Sequence, residues 1–149
     1  MRKIFFFIAL LFTTTLMADE IKWAKDFNSG IAQAKAQHKP VLFVFSSHTC
    51  KYCVLLEKTT FSDKKVIKDL NKNFVSIIAY SDEHDAMPKE LWRPGTPTIW
   101  FLHSDAEPMY QPLMGAIGVK DFLQALSIVK KTFKRTTISK KNLTKRVHK

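Results

Sequence analysis

Apolar residues follow two contrasting patterns along the chain, short continuous runs and helical repeats. The runs at 41–45, 74–80 and 98–103 are rich in β-branched and aromatic residues and have no regular polar alternation. Uninterrupted runs of this length are typical of strands that are buried on both faces of a sheet. A fourth, shorter strand is predicted over 109–113, just before Gly115.

Helical segments separate these strands. The first, 28–38, has Asn28 or Ser29 as its predicted N-cap and ends before Pro40. The last, 118–129, carries one apolar face. Three more helices are predicted, over 50–59, 64–71 and 86–92. Strands that alternate with helices indicate an α/β fold, a central mixed β-sheet flanked by helices, in which the last two strands form an antiparallel pair.

The charge is distributed unevenly over the 149 residues, which suffice for one domain. The net charge is +11, but 19–129 holds 13 basic and 13 acidic residues. The excess lies in 1–18 and in 130–149, which has nine Lys and Arg and no acid. The balanced body argues against a partner that is a nucleic acid, and the export signal described next argues against it as well.

The N-terminal 18 residues have the pattern of a secretory signal peptide. Arg2 and Lys3 precede an apolar core at 4–12, and Ala18 supplies a small residue at the exit. The core has nine residues, whereas a membrane-spanning helix needs about 20. We therefore expect cleavage after Ala18, with an uncleaved anchor as the less favoured alternative.

The remaining chain divides into a domain, 19–130, and a basic C-terminal tail, 131–149. The tail mixes Lys with Thr, Ser and Asn and has few apolar residues to bury. Such a composition predicts a solvated helix end followed by a disordered tail. A weak contact with an anionic surface, such as lipid head groups, or with an acidic partner is the alternative.

The chain contains two cysteines, Cys50 and Cys53, where a buried strand gives way to a helix. Residues three apart in a helix have Cα atoms about 5 Å apart, within the range of a disulfide. The helix start stabilises a thiolate at Cys50, so Cys50 is predicted to attack a partner sulfur and Cys53 to resolve the mixed disulfide. A static structural disulfide and a soft-metal site formed by the two thiolates stay open as alternatives.

Several motifs together resemble the thioredoxin superfamily. They are the run 39–45, the C-x-x-C at 50–53 and the Gly-Thr-Pro-Thr at 95–98. The resemblance implies a thioredoxin-like fold with the C-x-x-C at the N-terminus of a helix. It also implies that Pro97 is a cis-proline facing the disulfide, and that Thr96 offers backbone hydrogen bonds to a bound substrate chain.

Within that superfamily, the segment 53–63 resembles the periplasmic C-terminal domain of the DsbD reductases. That resemblance implies that Glu57 handles the proton of Cys53. Thioredoxins and the DsbD domain carry an aspartate six residues before the first cysteine, and Val44 takes that position here. The proton must then pass through Glu57, water or the partner.

Three further residues near the motif are candidates for tuning its chemistry. Lys51 and Tyr52 lie between the two cysteines and replace the Gly-Pro of thioredoxin. Lys51 is expected to favour the thiolate. His48, two residues before Cys50, is either a thiolate partner or a solvated loop residue.

These observations predict an exported, periplasmic thiol:disulfide oxidoreductase. It is expected to use Cys50 and Cys53 and to need no added cofactor and no metal. A reductase or interchange role is favoured over an oxidant role. Its expected partners are exported cysteine-containing client proteins and a membrane-bound electron donor or acceptor. The alternative is a non-catalytic binding module for a protein or a soft metal ion, with static cysteines.

Overall fold

The computed structural model describes residues 20–147, with side chains as far as Ser139. The predicted signal peptide lies outside the described residues. Within the described part, no helix is both long enough and apolar enough to cross a membrane. The elements are α1 (Phe27–Gln37), β1 (Val41–Ser46), α2 (Lys51–Lys58), α3 (Lys64–Asn73), β2 (Val75–Tyr80), two 3-10 turns (Ser81–Glu83 and Lys89–Leu91), β3 (Thr98–Leu102), β4 (Leu113–Met114) and α4 (Val119–Val147).

The four strands form one mixed sheet in the order β2-β1-β3-β4. Strand β1 is parallel to β2 and antiparallel to β3, and β4 extends the sheet antiparallel to β3. Phe43 in β1 is therefore paired with Ile77 on one side and with Trp100 on the other. The central position of β1 explains its continuous apolar sequence, because both of its faces and both of its edges are covered.

Two apolar clusters cover the two faces of the sheet. One contains Leu42, Val44 and Phe122, together with buried residues of α2 and α3, and the other contains Phe43 and Trp100 beneath α1. Successive residues of β1 point to opposite faces, so this run contributes to both clusters. The predicted α/β fold, with strands buried on both faces, is confirmed.

Two helix boundaries differ from the sequence prediction. The N-cap of α1 is Asp26, two or three positions earlier than predicted: its Oδ1 accepts from the Ser29 N–H at 2.7 Å, and Ser29 Oγ accepts from the Asp26 N–H at 3.1 Å. Helix α4 does not end near residue 129 but continues to Val147. The segment beyond 129 contains no Gly or Pro, and Lys and Arg are good helix formers.

Prolines explain the other two differences. The predicted strand 109–113 is reduced to Leu113–Met114, because Pro108 just before it and Pro112 within it have no N–H to donate to a strand. The predicted helix over 86–92 is a single 3-10 turn, Lys89–Leu91. Pro88 and Pro94 restrict the residue before each of them and leave space for one turn only.

Candidate active site

Cys50 lies at the N-terminus of α2, four residues after β1 ends. It is the N-cap residue, with extended backbone, and its Sγ accepts a hydrogen bond from the Cys53 N–H at 3.2 Å. The cysteine sulfur thus occupies the place that a Ser or Asp oxygen usually takes at a helix start. Negative charge at this position is stabilised by the helix dipole.

The two thiols are free, and their surroundings separate them chemically. Partial burial alone would raise the pKa of Cys50, but hydrogen bonds from the Cys53 thiol and N–H outweigh it and hold that pKa below its ordinary value. Burial and the neighbouring Cys50 sulfur raise the pKa of Cys53, which is completely buried. Cys50 is therefore the group poised to act as a nucleophile, and Cys53 is kept protonated.

The segment before β3 faces Cys50 from the opposite side. The Thr96–Pro97 peptide bond is cis. The Thr96 carbonyl accepts a hydrogen bond from the Cys50 thiol at 3.3 Å, and the Pro97 carbonyl accepts one from the Gly115 N–H at 2.9 Å. The chain thus brings three of the predicted site residues together, although 46 positions separate Cys50 from Thr96.

Glu57 lies one turn beyond Cys53 on α2 and is half-buried. Its Oε1 accepts from the Ser46 hydroxyl at 3.0 Å and from the Tyr80 hydroxyl at 3.4 Å. Burial and the adjacent Glu57 carboxylate raise the pKa of Tyr80 to about 12, so Tyr80 remains a hydrogen-bond donor at neutral pH. Val44, where thioredoxins carry an aspartate, is buried in the core.

His48 is held by the acidic turn after β2. Its Nε2 lies 2.7 Å from Glu83 Oε1, and its ring stacks on Tyr80 with centroids 3.9 Å apart. Its backbone N–H donates to Asp82 Oδ2 at 2.8 Å. The hydrogen bond to Glu83 raises the pKa of His48. Because Nε2 is paired with Glu83, it does not serve as the partner of the Cys50 thiolate, which was one of the two roles predicted from the sequence.

Lys51 and Tyr52 point outward from the start of α2. Both are exposed, Tyr52 by 60% of its surface. Trp92 and Met114 are also more than half exposed. Met114 lies close to the cis segment, since its Sδ is 3.5 Å from Thr98 Oγ1.

Sequence reasoning missed two residues of the site, Ser46 and Tyr80. Each is the last residue of a strand, and β1 and β2 are parallel neighbours whose ends are paired in register. The signal that was present in the sequence is a polar residue that ends an apolar run, just before the C-x-x-C in the case of Ser46.

The comparison with known proteins agrees with this geometry. Residues 27–130 match a thioredoxin-like domain. The chain belongs to the thioredoxin-like family. This member of the family is 34% identical over 115 residues to the thiol:disulfide interchange protein DsbD of Salmonella paratyphi A. That stretch covers 75% of this chain but only 18% of the DsbD chain, so the protein spans about a fifth of the length of such relatives.

Solved structures show the same thioredoxin-like fold. A thioredoxin from Thermus thermophilus is 27% identical, with a TM-score of 0.63 over 74% of this chain and 87% of its own. The C-terminal domain of DsbD from Neisseria meningitidis, in the oxidised form, is 23% identical, with a TM-score of 0.55 over 67% of this chain and 89% of its own. In this thioredoxin-like protein the C-x-x-C pair lies at the start of α2.

Proposed function

We propose that the protein acts after export, in the periplasm, where it reduces or rearranges disulfides of exported cysteine-containing client proteins through Cys50 and Cys53. The signal-peptide pattern of 1–18 supports export. The similarity to DsbD relatives over 115 residues supports an interchange role. A membrane-bound electron donor would then restore the dithiol, because periplasmic thiols are kept oxidised kinetically.

The division of labour between the two sulfurs carries this proposal. The Cys50 thiolate attacks one sulfur of a client disulfide, a mixed disulfide forms, and the first client thiolate leaves. Cys53 then loses its proton and attacks Cys50 Sγ, and the second client thiolate leaves. The client gains two electrons, and the protein retains a Cys50–Cys53 disulfide.

The surface around Cys50 is suited to hold an extended client segment. The backbone of the client segment can lie beside Thr96 and Pro97, as the family resemblance implies. The exposed side chains of Tyr52, inside the C-x-x-C, and of Met114, whose Sδ is 3.5 Å from Thr98 Oγ1, offer apolar contacts. Exposed apolar groups of this kind, grouped beside a reactive residue, are typical of binding surfaces.

A redox titration tests the proposal. We would equilibrate residues 19–149 across a series of glutathione ratios and score the Cys50–Cys53 disulfide by thiol alkylation and mass. A midpoint near about −230 to −270 mV indicates a reductant, and one near about −120 to −180 mV indicates an oxidant or isomerase. If the disulfide never forms or never reduces, the oxidoreductase proposal is wrong and the static binding module remains.

A further inference from the structure

Helix α4 continues well beyond the part that packs on the sheet. Its first three turns bury Phe122, Leu126 and Val129 in the core. From residue 130 onward the chain has nine Lys and Arg and no acid, and eight of these nine cations lie within α4. The excess positive charge is therefore held on a helix, where the sequence had predicted a disordered tail.

One face of this helix points to solvent and combines cations with exposed isoleucines. A spacing of three or four residues places positions 128, 131, 135 and 138 within about 80° of one another around the helix axis, opposite the buried face, and position 134 flanks this stripe. All five side chains are exposed, and the two isoleucines expose 48% and 52% of their surface. We call this surface the basic face; it consists of Ile128, Lys131, Lys134, Arg135 and Ile138.

The three cations of the basic face are not neutralised by the fold. The preceding residue, Lys130, is neutralised, because its Nζ lies 2.7 Å from both carboxylate oxygens of Asp69 on α3. Within residues 20–139, the structure shows no ion pair of Lys131, Lys134 or Arg135. Three uncompensated cations and two apolar groups within about 15 Å of helix suit a ligand that is negatively charged and also offers an apolar phase.

An anionic lipid surface has both properties. Anionic head groups attract Lys and Arg near a membrane, and apolar side chains of a surface helix enter the boundary between head groups and acyl chains. Long Lys and Arg side chains keep their charge at the level of the head groups while the apolar residues between them insert. A protein partner is less suitable, because Lys is depleted at the buried centre of protein interfaces.

The basic face and the cysteines lie at opposite ends of the sheet. Strand β1 runs toward Cys50, and β3 is antiparallel to it, so His103, which follows β3, lies at the far end. Phe133 of α4 stacks on His103, with ring centroids 5.9 Å apart. His38, which precedes β1, lines the same cavity as these two rings. The middle of the basic face therefore lies at the end of the domain that is far from Cys50.

We propose that the basic face of α4 binds the protein to an anionic lipid surface, with its two isoleucines among the head groups and its three cations on the lipid phosphates. The surface around Cys50 is left uncovered, so that a client can reach it. Binding to lipid requires neither cysteine. This inference therefore goes beyond the proposed function and does not depend on it.

Vesicle sedimentation tests the proposal. The protein used is residues 19–149, because the apolar run 4–12 would enter a bilayer by itself. The probes are vesicles of equal parts phosphatidylcholine and phosphatidylglycerol, compared with vesicles of phosphatidylcholine alone. We expect binding to the first to be at least about 10-fold tighter than to the second, and to weaken as salt is raised. Equal binding to both vesicles, or binding to neither, overturns the proposal.

Charge removal locates the binding surface. The test variant replaces the three cations of the basic face: Lys131→Gln, Lys134→Gln and Arg135→Gln. It should bind anionic vesicles about 100-fold more weakly, since each cation near such a surface strengthens binding about fivefold. The matched control removes the same charge from three exposed lysines on the α1 side of the sheet: Lys25→Gln, Lys35→Gln and Lys89→Gln.

The control should bind less than about threefold more weakly, because salt screens the attraction beyond about 10 Å. Equal losses in the two variants would mean that net charge alone drives binding, and would overturn the assignment to α4. Both variants change only exposed side chains, and matching urea midpoints would verify that each one folds.

The isoleucines distinguish a lipid surface from an acidic protein. Ile128→Ala combined with Ile138→Ala should weaken vesicle binding about 10-fold, because apolar groups that insert between head groups are lost. Leu55→Ala is the matched control, since Leu55 is 47% exposed on α2, and it should bind as the natural chain does. Unchanged binding without the two isoleucines would contradict insertion into lipid and would instead favour an acidic protein as the ligand.

The accessibility of Cys50 has its own readout. Iodoacetamide should modify Cys50 of vesicle-bound protein at the rate of the free protein, within about twofold, because the thiolate stays exposed to the reagent. Protection of Cys50 on vesicles would contradict the proposed placement. A failed redox titration would leave vesicle binding intact, and failed vesicle binding would leave the titration intact, so the two proposals are tested separately.

Discussion

The Cys50 thiol donates to the Thr96 carbonyl at 3.3 Å, so the start of α2 and the segment before β3 meet at one sulfur. A client chain placed beside Thr96 is thereby brought next to the nucleophile. In the proposed reaction the client sulfur would approach Cys50 from the surface, and Cys53, which is completely buried, would approach it from the interior.

The separation of the two cysteines predicts which variant traps a client. Cys53→Ser should accumulate a mixed disulfide between Cys50 and a client, because the resolving sulfur is missing. Cys50→Ser should accumulate none, because the buried Cys53 does not reach the client. Non-reducing electrophoresis of cells that express either variant checks this, and equal trapping by both would contradict the assigned roles.

The same contrast predicts how the thiols respond to pH. Because the pKa of Cys50 is lowered, its thiolate persists to lower pH than the thiolate of a free cysteine. A free cysteine has a pKa of about 8.5. Iodoacetamide should therefore modify Cys50 first, with a midpoint of the rate profile below that value. In Cys50→Ser, the remaining Cys53 should react slowly, with a midpoint above it. Mass mapping across pH 5–10, roughly the range of thiol ionisation, measures both.

The ion pair of His48 with Glu83 predicts a pH-dependent contact beside the site. Because Glu83 raises the pKa of His48, the attraction is fully present below the ordinary histidine pKa and is lost as pH rises through the raised value. In an NMR titration, Glu83→Gln should lower the pKa of His48. Glu90→Gln, on the other 3-10 turn, should leave it unchanged. No change in Glu83→Gln would mean that the pair does not form in solution.

Helix α4 offers a matched pair of substitutions for the core. Phe122 is completely buried against the sheet, whereas Ile128 on the same helix is 48% exposed. Phe122→Ala should lower the free energy of unfolding by about 3–5 kcal/mol. Ile128→Ala should change it by less than about 1 kcal/mol. Urea unfolding of both variants measures the difference, and similar losses would contradict the packing of α4.

The sequence predicted those features that depend on local pattern. Continuous apolar runs predicted β1 and β3. The cysteine spacing and the distant Thr96-Pro97 predicted the two segments that meet at the site, the start of α2 and the residues before β3. It did not predict that Ser46 and Tyr80 both reach Glu57, because that depends on the register between β1 and β2. Nor did it predict the pairing of His48 with Glu83, since two residues 35 positions apart meet only after folding.

The local differences have equally physical causes. Asn28 and Ser29 are good caps in isolation, but Asp26 and Ser29 form a reciprocal pair of hydrogen bonds that moves the helix start. Likewise, the segment 109–113 was predicted as a strand, but Pro108 and Pro112 have no N–H with which to complete the ladder.

Strand β1 lies in the middle of the sheet, paired along both edges, and the loop to Cys50 begins where it ends. One turn of α2 then carries both sulfurs. We therefore expect the backbone to be nearly superimposable between the dithiol and the disulfide. The electron donor and the client would therefore meet the same backbone surface in both redox states. The dithiol and the disulfide would differ only at the two sulfur atoms and their protons.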